Sequence, residues 1–230
     1  MKYIFLDTET TGIDEEDRLC QLAFSYEGKH VCKLYKPELP IKIESMAITH
    51  ITNEMVEDAP AFKDSPEFTF LKDLLQQDDV CLVAHNAKFD LGMLKKEGIT
   101  AKNHICTMKV ARRLDKEGQF ANVTLQYLRY FYGIKIEATA HDAMGDVMVL
   151  EQVFAHLKKL VQQLKGKDEV DEDMIRVSKE PMLFVKMPYG KHRGVKLMDV
   201  PGDYMEWLER QTDLDEDMRF TVKHYFSNKK

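Results

Sequence analysis

The chain has 230 residues, with 33 Lys or Arg against 39 Asp or Glu for a formal charge of −6, and 44% apolar against 31% charged residues. This composition describes a soluble globular protein of one large domain, or an ordinary domain with an appendage, and argues against a protein that coats nucleic acid through bulk charge. The chain opens on a strand with no charged leader, and no segment approaches the roughly 20 apolar residues of a membrane span, so secretion and membrane insertion are not expected. Cys20, Cys32, Cys81 and Cys106 show no C-x-x-C spacing and lie in or beside apolar runs. That pattern predicts free buried thiols in a reducing cytoplasm.

In chain order, apolar runs predict strands over residues 2–7, 19–27 and 29–35, the last two a hairpin across Glu27-Gly28. Helical patterns follow over 45–57 and 66–77, then a strand over 80–84 and a helix opening at Asn86. A short strand over 104–106 precedes helices over 108–115, 124–132 and, at greater length, 140–164. A meander followed by alternating helices and strands implies an α/β fold, a mixed sheet covered by helices. Five acids, Asp168, Glu169, Asp171, Glu172 and Asp173, stand in an aromatic-poor stretch and predict a solvated linker at 166–178. Residues 179–230 change composition, with ten Lys or Arg against nine Asp or Glu, a turn-rich Met187-Pro188-Tyr189-Gly190 segment, and amphipathic patterns over 203–211 and 215–227. This part reads as a small separate module, with Trp207 expected in its core beside Tyr204, Met205 and Leu208.

Chemistry enters first at Asp7-Thr8-Glu9, where carboxylates at i and i+2 on a strand point to one face. Burying two neighbouring carboxylates without a cation is costly, so hard cations such as magnesium or manganese on oxygen ligands are expected; two solvated acids at a strand end are the alternative. A second block, Ala84-His85-Asn86-Ala87-Lys88-Phe89-Asp90, joins strand to helix, with Asn86 placed to cap and Asp90 in the first turn near the positive end of the helix dipole. A charge–dipole contact alone also accounts for Asp90. The third block is Ala140-His141-Asp142-Ala143-Met144-Gly145-Asp146. His141 and Asp146 are five apart, about 140° around an ideal helix, so they share a site only if His141 precedes the first turn. An imidazole titrating near neutrality suits a general base for water. Four carboxylates and one histidine at strand and helix ends fit a two-metal phosphodiester hydrolase.

Asp7, Glu9, Asp90, His141 and Asp146 resemble, in order and local context, the three sequence blocks of the DEDDh group of 3′-to-5′ exonucleases, which includes the proofreading subunits of bacterial replicases. The likeness extends over Met46-Ala47-Ile48-Thr49-His50-Ile51-Thr52 and residues 105–114. The tail, with Tyr189-Gly190-Lys191-His192-Arg193-Gly194, Asp199-Val200, Tyr204, Trp207-Leu208 and residues 219–225, is similar to the C-terminal module of the exodeoxyribonuclease X family. The resemblance implies a ribonuclease H-like exonuclease domain over 1–165 and a small α+β module over 179–230, accessory or nucleic-acid-binding in role. It also implies two Mg²⁺ ions, replaceable by Mn²⁺. Asp7, Glu9 and Asp146 would bind one ion, Asp7 and Asp90, directly or through water, the other, and His141 would act as base. Asp142 would stand behind the ligands, with a direct role left open.

Substrate contacts are expected at the Thr10 and Thr11 amides, at Gly12, at Ile13 as an apolar wedge against a terminal base, and at His50, His85 and Asn86; the alternatives are a packed loop residue for Ile13, caps for His85 and Asn86, and an ordinary surface histidine for His50. Lys109, Arg112, Arg113 and Lys116 fall at i, i+3, i+4 and i+7, a basic stripe that suits a nucleic-acid backbone or an ordinary solvated face. Lys191, His192, Arg193 and Lys196 around a turn extend the same track. The resulting expectation is an exodeoxyribonuclease that releases nucleoside 5′-monophosphates in DNA repair or strand trimming. An RNA-trimming enzyme of the same group and a non-catalytic nucleic-acid-binding or polymerase-associated module are the alternatives.

Overall fold

The computed structural model describes residues 1–136 and 143–227. Its five strands are β1 (Lys2–Thr10), β2 (Leu19–Tyr26), β3 (Lys29–Leu34), β4 (Val80–Ala84) and β5 (His104–Cys106), in the sheet order β3-β2-β1-β4-β5. β2 pairs antiparallel with β1 and β3, while β4 pairs parallel with β1 and β5. The helices are α1 (Ile43–Thr49), α2 (Asn53–Val56), α3 (Pro66–Leu74), α4 (Lys88–Lys96), α5 (Thr107–Leu114), α6 (Leu125–Phe131), α7 (Ala143–Lys165), α8 (Val170–Lys179), α9 (Gly202–Glu209) and α10 (Glu216–Ser227). Among the described residues no helix is long and apolar enough to cross a membrane. The single helix predicted over 45–57 is two short ones, divided where His50 turns left-handed at φ 59°.

Strand alternation builds a core on each face of the sheet. Ile4 and Leu6 pack with Leu71, Leu74 and Leu94 of α3 and α4, while Cys81, Val83 and Ile105 face Val149, Val153 and Leu157 of α7. Tyr3 and Phe5 lie on this second side, their rings 4.8 and 5.3 Å from that of Phe154. β1 carries this division onward past its last pairing with β4, at Phe5–Val83. None of the four cysteines is in a disulfide; three are buried, while Cys32 is exposed on β3.

The acidic stretch is not a solvated linker. Val170, Met174 and Val177 recur at i, i+4 and i+7 and bury one face of α8 in the same core as α5 and α7. Three of its acids, Asp171, Glu172 and Asp173, fall in the first turn, where the helix dipole favours them. Asp171 accepts from the Tyr3 hydroxyl at 2.6 Å and pairs with Lys158 at 3.0 Å. Ser178 Oγ accepts the Cys106 amide at 2.7 Å, closing a backbone donor on the edge strand β5.

Beyond α8, Met187, Leu197, Val200, Met205, Leu208, Met218 and Val222 form a core of their own. Among the described residues this part combines one antiparallel bridge, Lys186–Lys196, with α9 and α10. Trp207 is not in that core: it is 51% exposed, with Tyr204 tilted against it at 5.3 Å. Gly190 has φ 74°, and a β-carbon there would sit 2.9 Å from the Tyr204 hydroxyl, so the turn needs glycine.

Candidate active site

Asp7 and Glu9 continue the Tyr3–Phe5 face of β1 and therefore meet the N-terminus of α7, where Asp146 lies in the first turn. Asp7 lies opposite Ala23 on β2, and Ala23, Ala143 and Val147 form one buried cluster. Small side chains at 23, 143 and 145 let the first turn of α7 come close to the sheet. One oxygen from each of Asp7, Glu9 and Asp146 lies within 4.8 Å of the others, and all three residues are half-buried. At that separation two carboxylates repel by about 3.5 kcal/mol at an effective dielectric near 20. Three hard oxygen donors in this arrangement suit a divalent cation.

Thr8, between the two acids, points to the other face, where α4 delivers Asp90. Asp90 Oδ1 accepts the Thr8 amide at 3.1 Å and its hydroxyl at 2.8 Å. β1 has outrun β4 at this point, and Asp90 takes the Thr8 N–H. Burial pushes the Asp90 carboxyl up to about 7, opposed by the bonds from Thr8. Asp90 is thus beside the cluster and bonded to its supporting strand, rather than among the three converging carboxylates. His141 and Asp142 lie outside the described residues.

Several other expected contacts have structural partners. His85 Nδ1 is 2.9 Å from Thr107 Oγ1 and Nε2 is 2.8 Å from the Val123 carbonyl. Burial lowers its pKa to about 4, so it is neutral, with Nε2–H donating to Val123 and Nδ1 accepting from Thr107. It holds the 120–124 loop rather than a nucleotide. Asn86 does not cap: its φ is 62°, the cap position is Ala87, and the Asn86 side chain is exposed. The Thr11 amide donates to the Arg18 carbonyl at 2.9 Å, so it is not available to a sugar. Thr10 Oγ1 donates to the Gly12 carbonyl at 2.7 Å, and Thr11 Oγ1 to Asp17 Oδ1 at 2.8 Å. A β-carbon on Gly12 would lie 2.3 Å from Asp17 Oδ2. Burial works against ionisation of Asp17, but bonds from Lys42, Thr11 and Asp14 hold its pKa below the usual carboxylate value. The loop so anchored presents Ile13, 84% exposed. His50 is exposed at the end of α1.

The basic stripe divides. Lys109 Nζ donates to the Glu180 carbonyl at 2.8 Å and pairs with Asp217 at 3.6 Å, and the Arg112 guanidinium lies 5.0 Å over the Phe184 ring. These two residues form a seam with the C-terminal part, whereas Arg113 and Lys116 are exposed.

Two residues that sequence reasoning passed over support the acids. Gln126 Nε2 donates to Asp146 Oδ1 at 2.7 Å, and Arg129 Nη1 donates to Gln126 Oε1 at 3.2 Å. Arg129 is buried and also donates to the Ile136 carbonyl, at the end of the described segment before His141. The available signal was Leu125, Leu128, Arg129 and Tyr132 at i, i+3, i+4 and i+7, a cation on the apolar side of a helix. Gln126 had no comparable mark.

The chain is similar to several known nucleases. The RNase T family model, described as exonuclease, matches residues 4–154. A second model, named for a quorum-sensing-regulated virulence factor, matches residues 180–213. Exodeoxyribonuclease 10 of Escherichia coli strain K12 is 29% identical over 97% of this chain and 98% of its own. A PolC-type DNA polymerase III of Caldanaerobacter subterraneus is 26% identical over 85% of this chain but only 15% of its own length. Among solved structures, exonuclease X in complex with 5′-overhanging duplex DNA superposes with a TM-score of 0.58 and 25% identity, covering 76% of this chain and 99% of that one. Escherichia coli exonuclease I in complex with an oligonucleotide shares the fold at a TM-score of 0.54 and 20% identity, over 70% of this chain and 41% of its own.

Proposed function

The chain belongs to the RNase T family of 3′-to-5′ exonucleases, and from that premise we propose that it is a magnesium-dependent exodeoxyribonuclease releasing nucleoside 5′-monophosphates. The observation that carries the reading is the convergence of Asp7, Glu9 and Asp146 within 4.8 Å on one face of β1. In this reading Asp7, Glu9 and Asp146 would hold one Mg²⁺, and Asp7 with Asp90 would hold a second; Mn²⁺ would substitute. Divalent cations held there would supply Lewis acidity at the scissile phosphate and would lower the pKa of a nearby water. His141 accepts a proton from the attacking water, whose oxygen forms the new bond to phosphorus as the P–O3′ bond breaks, and the departing O3′ takes up a proton from solvent. Gln126 fixes the rotamer of Asp146, Asp90 fixes β1 through Thr8, and Ile13 protrudes against the terminal base.

DNA as substrate rests on the DNA-directed relatives, and DNA repair or strand trimming in the cytoplasm is the proposed setting. Matched 3′-end- and 5′-end-labelled DNA and RNA oligonucleotides, incubated with magnesium or EDTA, test the reading. Metal-dependent shortening of DNA from the 3′ end that is lost in Asp7→Ala is expected. Faster digestion of RNA would move the assignment to RNA trimming. Binding without cleavage of either polymer would make the chain a non-catalytic module.

A further inference from the structure

The seam between α5 and the C-terminal part encloses a cleft of about 740 Å³, outside the acidic cluster. Five Lys or Arg line it, namely Lys109, Arg112, Arg113, Lys116 and Lys196, against two acids, Glu117 and Glu180. Glu180 is already paired with Arg176 at 2.8 Å. Arg113, Lys116 and Lys196 are exposed and form no ion pair among the described residues. Three cations without an ion pair, against Glu117 as the one remaining acid, make a net positive concavity that suits a polyanion. The cleft wall also carries Phe220, 42% exposed, and Met198, 62% exposed. Exposed aromatic and apolar surface between cations suits unstacked bases, whose faces a duplex keeps inside its stack.

The cleft joins a second groove that runs to the turn preceding α4. A neighbouring groove of about 420 Å³ shares Arg112 and Leu183 with it, reaches His85 and Asn86 at one end, and adds Lys186 and Arg193 from the C-terminal part. Asn86 lies four residues before Asp90, at the foot of α4.

We propose that the cleft between α5 and the C-terminal part is a second nucleic-acid site, which holds single-stranded polynucleotide upstream of the 3′ end seated at the acids. The proposal rests on the exonuclease reading for the position of that end. Arg113, Lys116 and Lys196 contact phosphates, Phe220 stacks on a base, and Arg112 stands where the cleft and the groove join.

The test is fluorescence anisotropy of labelled single strands of about 4 and about 20 nucleotides, spanning the roughly 4–16 nucleotides of single-strand sites, in EDTA over a salt series. The full chain, the double variant Lys116→Glu/Lys196→Glu, its milder Lys→Gln counterpart, Phe220→Ala and a control Lys33→Glu on β3 are compared. β3 lies at the opposite edge of the sheet from β5. Each lost phosphate contact lowers the slope of log affinity against log salt by about 0.7, so the glutamate double variant should lose about 1.4 and bind the long strand little better than the short one. Phe220→Ala should weaken long-strand binding about 5- to 100-fold, the Gln variant should move in the same direction as the Glu variant, and Lys33→Glu should behave as the unsubstituted chain. An unchanged slope and length dependence in the folded Gln variant overturns the proposal. So does a loss confined to blunt duplex, or displacement of the long strand by polyglutamate as effectively as by unlabelled DNA. Because binding in EDTA needs no hydrolysis, a catalytically inert chain that shows these losses sinks the exonuclease reading and keeps the cleft. An active enzyme whose cleft variants bind normally does the reverse.

Discussion

Gln126→Leu removes the amide that donates to Asp146 Oδ1 at 2.7 Å while keeping nearly the same volume on α6. The lost bond is to a charged acceptor in a half-buried setting, where such bonds contribute about 1.5–3 kcal/mol. Arg129 loses one of its acceptors in the same change, since its Nη1 donates to Gln126 Oε1. If the bond orients Asp146 toward a cation, its loss should appear as a 10- to 100-fold weaker divalent-metal affinity, the range found for groups that orient metal ligands. Calorimetric titration of the protein with Mn²⁺ alone, without substrate, reads this directly. The magnesium concentration at half-maximal rate should rise by a similar factor, and Gln126→Asn should restore little because its shorter arm does not reach. An unchanged Mn²⁺ affinity in a folded Gln126→Leu protein would refute the positioning argument, whatever happened to the rate.

Three further outcomes follow from the geometry. His85 has a folded pKa of about 4 against 6.5 in an unfolded chain, so its contribution is fully present above about pH 6.5 and is lost as pH falls toward 4. It amounts to about 3 kcal/mol, and chemical denaturation at a series of pH values should show His85→Gln losing that slope relative to the parent. Gly12→Ala puts a β-carbon 2.3 Å from Asp17 Oδ2 and should cost about 1–3 kcal/mol, seen as a lower melting temperature, because Asp17 is held by Thr11, Asp14 and Lys42. A chain ending at residue 165 loses the burial of Val170, Met174 and Val177, roughly 1.5–3 kcal/mol each, and should be insoluble or unfolded. One ending at residue 179 should retain a cooperative melt, and similar melting of the two would show that α8 contributes nothing.

The sheet and most helices were legible because the apolar runs of the strands and the 3.6-residue pattern in α7 are local properties of the sequence. The acidic triad was legible for a related reason: once a strand places residues 7 and 9 on one face, the only freedom left is which helix meets them. What was hidden depended on partners far along the chain. Five acids in seven residues masked Val170, Met174 and Val177, whose spacing marks a helix face only to a reader who discounts the charges between them. Lys109 and Arg112 form a basic stripe by position, but their occupants, Glu180, Phe184 and Asp217, come from a segment about 70 to 110 residues later. His85 reads in the sequence as a contact to the terminal nucleotide or a cap, yet both its nitrogens have partners at residues 107 and 123. Trp207 shows the limit of an amphipathic pattern, which locates a helix face to within about one position and left this ring at the boundary.

The bond from Cys106 to Ser178 has a consequence in time. Its partners are 72 residues apart in the chain, and Tyr3 waits 168 residues for Asp171. At a synthesis rate of roughly 5–20 residues per second, β5 emerges from the ribosome about 4 to 14 s before the helix that covers its edge. During that interval the growing chain holds an open strand, and Tyr3 lacks the Asp171 acceptor that arrives only with α8. A ribosome stalled between residues 110 and 165 therefore displays a template for strand pairing, and chaperone capture of the nascent chain should peak in that window and end once α8 has cleared the exit tunnel.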